Sequence, residues 1–114
     1  MDYSFKSSEE VEILTLTGNM LSPTDNTEVL DHVKQRIEKG NKNFVIDLRG
    51  VKFINSNGLG LLINVLTKSR KAGGDTVLAS VPEELSRLLA MTKLNSIFTS
   101  VNTTEEALSQ LKPA

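Results

Sequence analysis

The stretch "FINSNGLGLLINVLTKSRKAGG", residues 53–74, decides the fold because it changes from a strand-like to a helix-like pattern within a few residues. It opens on two apolar residues, passes through the polar Asn55, Ser56 and Asn57, and then becomes apolar again. The later apolar residues recur at the spacing of one helix face, at Leu59, Leu62, Ile63 and Leu66. The stretch therefore predicts a strand-to-helix corner, with the helix running from after Asn57 to about Ala72 and stopping at the Gly-Gly pair.

The residues before this corner indicate a hairpin, a helix and a buried strand. Alternating residues, clearest in "VEILTLTG", predict two short strands with a turn near residues 7–10, and the second strand ends at Gly18. A helix follows, with Ser22 as the expected N-cap and Pro23 at the favoured first position. The run "NFVIDL", residues 43–48, is typical of a central strand buried on both faces, and "VKFINS" after it is either an extension or a crossing loop.

The residues after the corner continue to alternate between strand and helix patterns. "DTVLAS" and "SIFTSV" predict strands, "PEELSRLLAMTKL" predicts a helix that begins at a proline, and "TTEEALSQLK" predicts a closing helix with a capping-type threonine. The predicted order is ββαβαβαβα. This alternation favours a mostly parallel sheet covered by about four helices, and the first hairpin makes the sheet mixed. We therefore expect a single α/β domain over residues 1–114.

The composition excludes several classes of function. The chain carries 13 Lys and Arg against 14 Asp and Glu, a net charge of −1, which offers no electrostatic basis for binding nucleic acid or an anionic membrane. It has no cysteine and one histidine, so neither a disulfide framework nor a Cys/His metal site is expected. The longest apolar run, "LGLLINVL", is far shorter than the roughly 20 residues that span a bilayer. We expect a cytoplasmic protein without a cofactor.

The corner has the chemistry of an anion site. The first turn of a helix leaves N–H groups without partners, and Ser56 and Asn57 both carry side chains that accept from them, so either is a candidate N-cap. Gly58 and Gly60 lack side-chain bulk and let another molecule approach the backbone. Because the helix dipole is positive here, a phosphate on Ser56 would alter the outer surface while the fold stays intact.

Simpler structural roles are also open to the corner and to nearby polar residues. A serine before a helix is most often only a cap. "GLG" lacks the third glycine of a dinucleotide fingerprint, and no Gly-Lys-Ser/Thr follows to make a P-loop. Asp47 is expected to cap or pair locally, for instance with Arg49. His32 is expected on the surface of the first helix, so a small hydrolase with Ser56 as nucleophile and His32 as base requires that helix to meet the corner.

The stretch "VIDLRGVKFINSNGLGLLINVLTKSRKAGGDTVLASVPEELSRLLAMTKLNSIF", residues 45–98, resembles the STAS domain and in particular the bacterial anti-sigma factor antagonists. The hallmark of that family is a strand, then "Asp-Ser-Ser/Thr-Gly-Leu-Gly", then a helix that ends near Gly-Gly. The order of the predicted elements extends the resemblance over nearly the whole chain.

The resemblance implies a role and a set of site residues. In that family the first serine of the motif is phosphorylated by a partner that is both anti-sigma factor and serine kinase, and the matching residue here is Ser56. The unmodified antagonist binds the anti-sigma factor, the phosphorylated form lets go, and a separate phosphatase resets it. The antagonist itself is not an enzyme. The partner-binding residues that the resemblance implies are Asn19, Met20, Leu21, Ser22, Asn55, Asn57, Gly58 and Leu59. Exposed apolar side chains near Leu59 and Met20 are expected to supply contact area.

The chain departs from the family pattern in three places, two single residues and one loop. The acidic residue before the serine is Asn55, the second hydroxyl residue is Asn57, and the loop that often reads "Gly-Glu-Leu-Asp" is "GNML", residues 18–21. These departures leave a second hypothesis open, in which the chain is a non-switching STAS scaffold in a larger signalling assembly.

Overall fold

The computed structural model describes residues 2–8, 10–20 and 23–111, without the side chains of residue 20 and residues 23–25. The strands are β1 (Asp2–Ser8), β2 (Val11–Met20), β3 (Asn43–Ile54), β4 (Thr76–Ala79) and β5 (Thr99–Val101). The helices are α1 (Pro23–Glu38), α2 (Ser56–Lys71), α3 (Glu83–Met91) and α4 (Thr104–Leu111), with a 3-10 turn at Leu94–Ser96. The predicted α/β fold and the order ββαβαβαβα are confirmed.

The five strands form one mixed sheet in the order β1-β2-β3-β4-β5. β1 pairs antiparallel with β2, and every later pair is parallel. Each parallel crossover moves one place in the same direction, so right-handed crossovers place α1, α2 and α3 together on one face. The last helix, α4, follows the final strand and packs on the other face.

The core follows from this layering. The main cluster lies between the sheet and the first three helices, and it includes Leu14, Leu16, Phe44, Ile46, Leu48, Val33, Leu62, Val65 and Leu85. A smaller cluster lies under α4 and consists of Val11, Val45, Val77, Ala79 and Ala107. Because alternate residues of β3 enter the two clusters, the predicted burial of "NFVIDL" on both faces is confirmed.

The ends of several elements differ from the sequence-based expectation. Gly18 does not end β2, because its φ of 85° absorbs a register shift and the strand continues to Met20. The open question about "VKFINS" is also settled, since β3 extends to Ile54. The final strand is limited to Thr99–Val101, because Ser96 belongs to the 3-10 turn and Ile97 is its C-cap.

β3 projects beyond its neighbour β4. The two strands pair only from Phe44 opposite Thr76 to Asp47 opposite Ala79, whereas β3 continues for seven further residues to Ile54. Past Asp47, β3 is therefore bordered by β2 on one side and by no β4 residue on the other. This projecting end carries the corner that leads into α2.

Candidate functional site

Asn55 is the residue that caps α2. Its backbone is extended, with φ −120° and ψ −169°, and its Oδ1 accepts a hydrogen bond of 3.2 Å from the N–H of Gly58. Its carbonyl accepts the first helical bond, 3.0 Å from the N–H of Leu59. The prediction that Ser56 or Asn57 forms the cap is therefore wrong. Asn55, Ser56 and Asn57 all have side chains that can cap a helix. Asn55 forms the cap because it is the residue at which the extended backbone of the strand ends.

Ser56 is exposed and is the first residue of α2. Because Asn55 provides the cap, the Ser56 side chain lies outside it. The first turn of α2 contains no acidic residue, while its last turn contains Lys68, Arg70 and Lys71. The basic residues thus lie at the negative end of the dipole, and Ser56 lies at the positive end.

The apolar and glycine residues of the first turn contribute less open surface than the sequence indicates. Gly58 is buried, so the expectation that another molecule approaches its backbone is wrong. Leu59 is half-buried because it packs against the main cluster, so it supplies only part of the predicted contact area. Gly60 differs, since no heavy atom lies within 4 Å of the position that a Cβ would take. Close approach to the backbone is therefore possible at Gly60.

The sheet register brings the end of β2 beside the corner. Asn19 lies opposite Phe53, and Met20 lies opposite Ile54. The Asn26 Nδ2 on α1 donates a 2.7 Å hydrogen bond to the carbonyl of Asn57, which ties the first turn of α2 to α1. The structure thus brings the backbone of residues 19–20 close to the corner that contains Asn55, Asn57 and Leu59. Leu21, Ser22 and the Met20 side chain lie outside the described part of the chain.

Sequence reasoning missed the apolar surface nearest to this corner. Among the described residues, the large apolar side chains classed as exposed are Phe53, at 56%, and Met91, at 81%. Both line a groove of about 500 Å³ between the projecting end of β3 and α3. Phe53 was detectable in "VKFINS", but only an assignment of that run to a strand longer than β4 would have marked it as exposed.

The other candidate chemical groups lie in structural contacts. The His32 ring is half-buried, with its centroid 5.7 Å from those of both Tyr3 and Phe5 on β1. His32 is six residues, or about 9 Å of helix rise, beyond Asn26 at the corner, so the Ser56–His32 pair that a hydrolase would require is not formed. Asp47 makes the expected local bond, since its Oδ1 accepts 3.0 Å from the N–H of Arg49. No group of three potential metal ligands occurs in the ranges that the structure describes.

Among the helices of the described ranges, none combines the length and the apolar character that a bilayer-spanning helix needs.

Comparisons with known proteins identify the class to which this fold and corner belong. The model of the STAS domain family matches residues 3–107, so the chain belongs to the STAS domain family. This confirms the resemblance that the corner motif and element order indicated.

Particular relatives make the comparison more specific. A protein of Thermotoga neapolitana, named as a candidate anti-sigma factor antagonist, is 32% identical over 67% of this chain and 67% of its own length. The crystal structure of a candidate anti-sigma factor antagonist from Thermotoga maritima has a TM-score of 0.84 at 26% identity, covering 96% of this chain and 93% of that one. The Bacillus cell fate determinant SpoIIAA in its phosphorylated form has a TM-score of 0.77 at 17% identity over 97% and 100% of the chains, which shows a shared fold.

Proposed function

We propose that this chain is a cytoplasmic anti-sigma factor antagonist that regulates transcription by partner switching, with Ser56 as its phosphorylation site. The observation that carries the proposal is the position of Ser56, exposed at the first residue of α2 while Asn55 provides the cap. The names of the Thermotoga relatives support the same role. The unmodified chain binds a kinase-type anti-sigma factor, and the phosphorylated chain is released.

The modification is a phosphoryl transfer to the Ser56 hydroxyl. The Oγ of Ser56 attacks the γ-phosphorus of ATP held by the kinase, the bond from that phosphorus to the bridging oxygen breaks, and ADP leaves. The hydroxyl proton passes to a base on the kinase, since the histidine of this chain is engaged with β1. A separate phosphatase returns the hydroxyl by hydrolysis of the phosphoserine.

The helix end makes this modification compatible with the fold. A phosphoserine adds about 1.5 to 2 negative charges at pH 7. At a helix N-terminus a negative charge is stabilised by about 0.3–1 kcal/mol, and by up to about 2 kcal/mol when partly buried. The scaffold therefore persists, and the new charge acts on the partner that covers Ser56.

Phosphate mapping tests the proposal. The purified chain is incubated with the kinase-type anti-sigma factor of the same organism and Mg-ATP, and the phosphate is located by mass spectrometry. We expect one phosphate on Ser56, none on the Ser56→Ala variant, and an unchanged yield on Ser109→Ala, which removes an exposed serine of α4. Phosphate on another residue would contradict the proposal.

The departures at Asn55 and Asn57 favour one alternative, a non-switching STAS scaffold. That alternative predicts tight binding of the same partner with no phosphate on Ser56 after prolonged incubation. The mapping experiment therefore separates the two functions, because both require binding and only the switch requires transfer.

A further inference from the structure

The Phe53–Met91 groove is the feature that the proposed function does not yet use. It is formed by the end of β3 on one side and by α3 on the other, and its apolar lining includes Phe53, Ile54, Leu85, Leu88 and Met91. Phe53 and Met91 are exposed by more than half. Large apolar side chains gathered at one open groove are typical of an interaction site, whereas isolated ones are ordinary surface.

The topology explains why the groove is open. β4 stops at Ala79 opposite Asp47, so the last seven residues of β3 have no strand on that side. α3 follows β4 and packs Leu85 and Leu89 into the main cluster. Between this helix and the projecting strand lies a channel of about 500 Å³.

One end of the groove lies close to Ser56, the proposed phosphorylation site. Ile54 lines the groove and Ser56 is two residues further along the chain, so their Cα atoms are separated by no more than about 7.6 Å. A specific protein interface buries about 800 Å² on each partner, equivalent to a disc of about 16 Å radius. A kinase with such a footprint centred on Ser56 would extend over the Ile54 end of the groove and over the end of β2, which pairs with Ile54.

The charges around the groove indicate what fits it. Arg87 and Glu83 form an ion pair of 2.7 Å on α3 and offset each other. Lys52 on the β3 rim and Glu84 on the α3 rim add charges of opposite sign. The matching occupant is an amphipathic segment with apolar side chains facing inward, an acidic residue toward β3 and a basic residue toward α3.

We propose that an apolar segment of the kinase-type anti-sigma factor docks in the Phe53–Met91 groove and anchors the complex. This inference rests on the proposed function. Phosphorylation of Ser56 changes the charge beside the groove and leaves its apolar lining unchanged. The groove thus supplies affinity, and Ser56 supplies control. Methionine suits such a surface because its unbranched side chain adapts to the partner.

The test compares binding of the purified kinase-type anti-sigma factor of the same organism to wild-type, Phe53→Ser and Met91→Gln chains by calorimetry. Lys6→Gln, on the exposed face of β1, is the matched control. We expect at least about a tenfold increase in Kd for each groove variant and no change for the control. Because both side chains are exposed, the thermal midpoints of the variants should match that of the wild type, which a parallel melt checks.

The outcomes are distinguishable. If the wild-type chain does not bind the kinase, the proposed function fails. If the wild-type chain and both groove variants bind with equal Kd, the groove proposal fails and the proposed function stands. Light scattering of the chain alone tests a competing occupant: a wild-type dimer that Met91→Gln converts to a monomer would assign the groove to a second copy and overturn the proposal.

Discussion

At the residue scale, the proposed switch depends on Asn55 and Ser56 having separate roles, with Asn55 as the helix cap and Ser56 as the residue to be modified. The side chain of Asn55 accepts from Gly58 N–H and closes the first turn of α2, while Ser56 is exposed next to it. A residue that caps a helix is costly to modify, because modification removes an acceptor that the helix uses. A modification at Ser56 leaves the cap in place.

Replacing each residue with alanine tests whether Asn55, and not Ser56, is the helix cap. Asn55→Ala should lower the free energy of unfolding by about 1 kcal/mol, because the N–H of Gly58 loses its acceptor. Ser56→Ala should lower it by less than about half that amount, since an exposed side chain outside the cap is removed. Urea unfolding of both variants measures the difference, and a larger loss for Ser56→Ala would show that the serine caps the helix.

The sequence was sufficient to place Ser56 at the start of α2 but not to identify which residue is the N-cap of that helix. The switch from strand-like to helix-like spacing located the start of α2 within two residues, since the helix was predicted to begin after Asn57 and begins at Ser56. It could not rank Asn55, Ser56 and Asn57, because all three types are good N-caps and only the backbone conformation of Asn55 distinguishes them. The burial of Gly58 also depends on how α2 packs on the sheet, which local spacing does not define.

At the element scale, the central feature is the close pairing of β2 and β3 beneath the corner. Gly18 was predicted to end β2, but a glycine inside a strand pattern can also mark a bulge. The structure shows the bulge, and the continued strand carries Asn19 and Met20 alongside Phe53 and Ile54. The alternation of strand residues could thus be predicted from the sequence. The length of β3 relative to β4 could not, because it depends on tertiary pairing and not on a local sequence pattern.

Gly50 tests this pairing. A Cβ at Gly50 would lie 2.6 Å from the Cγ2 of Thr17 on the paired strand, so Gly50→Ala should destabilise the fold by about 1–3 kcal/mol. Thr17→Ser removes that methyl group, and the double variant should recover at least half of the loss. Thermal or urea unfolding of the wild type, the two single variants and the double variant measures these changes in stability.

The matched control for Gly50→Ala is Gly60→Ala, in α2. Its Cβ would meet no heavy atom within 4 Å, and alanine is favoured over glycine in a helix by about 1 kcal/mol. Stability should therefore be retained or increased. An equal loss at both glycines, or no recovery in the double variant, would contradict the close pairing at Gly50.

At the scale of the whole molecule, a buried polar cluster ties the first hairpin to α1. Glu12 is 3% exposed on the face of β2 that also carries Leu14 and Leu16. Its carboxylate accepts from Ser7 Oγ at 2.7 Å and from Asn41 Nδ2 at 3.1 Å, and the Arg36 Nε lies 3.3 Å away. The Arg36 guanidinium also lies 3.8 Å from the centre of the Phe5 ring. This cluster fixes the sheet edge against the helix that contacts the corner.

Removing Glu12 should be much more damaging than removing an exposed acid. Glu12→Ala leaves a mostly buried guanidinium without its counter-charge and should cost about 3 kcal/mol of stability. Glu83→Ala breaks the exposed pair with Arg87, whose side chains are 80% and 70% exposed, and should cost less than about 1 kcal/mol. Urea unfolding compares the two variants, and equal losses would contradict a structural role for the buried cluster.

A phosphate on Ser56 is proposed to change recognition while the scaffold stays intact, and binding and stability can be measured on the same two forms. The most direct measurement is the Kd of the kinase-type anti-sigma factor for the unmodified and the Ser56-phosphorylated chain, with a thermal melt of both forms. We predict at least about a tenfold weaker Kd after phosphorylation, because about 1.5 to 2 charges are added inside the contact surface, and a thermal midpoint that stays equal or rises. Equal affinities of the two forms, or unfolding of the phosphorylated chain, would contradict the proposal.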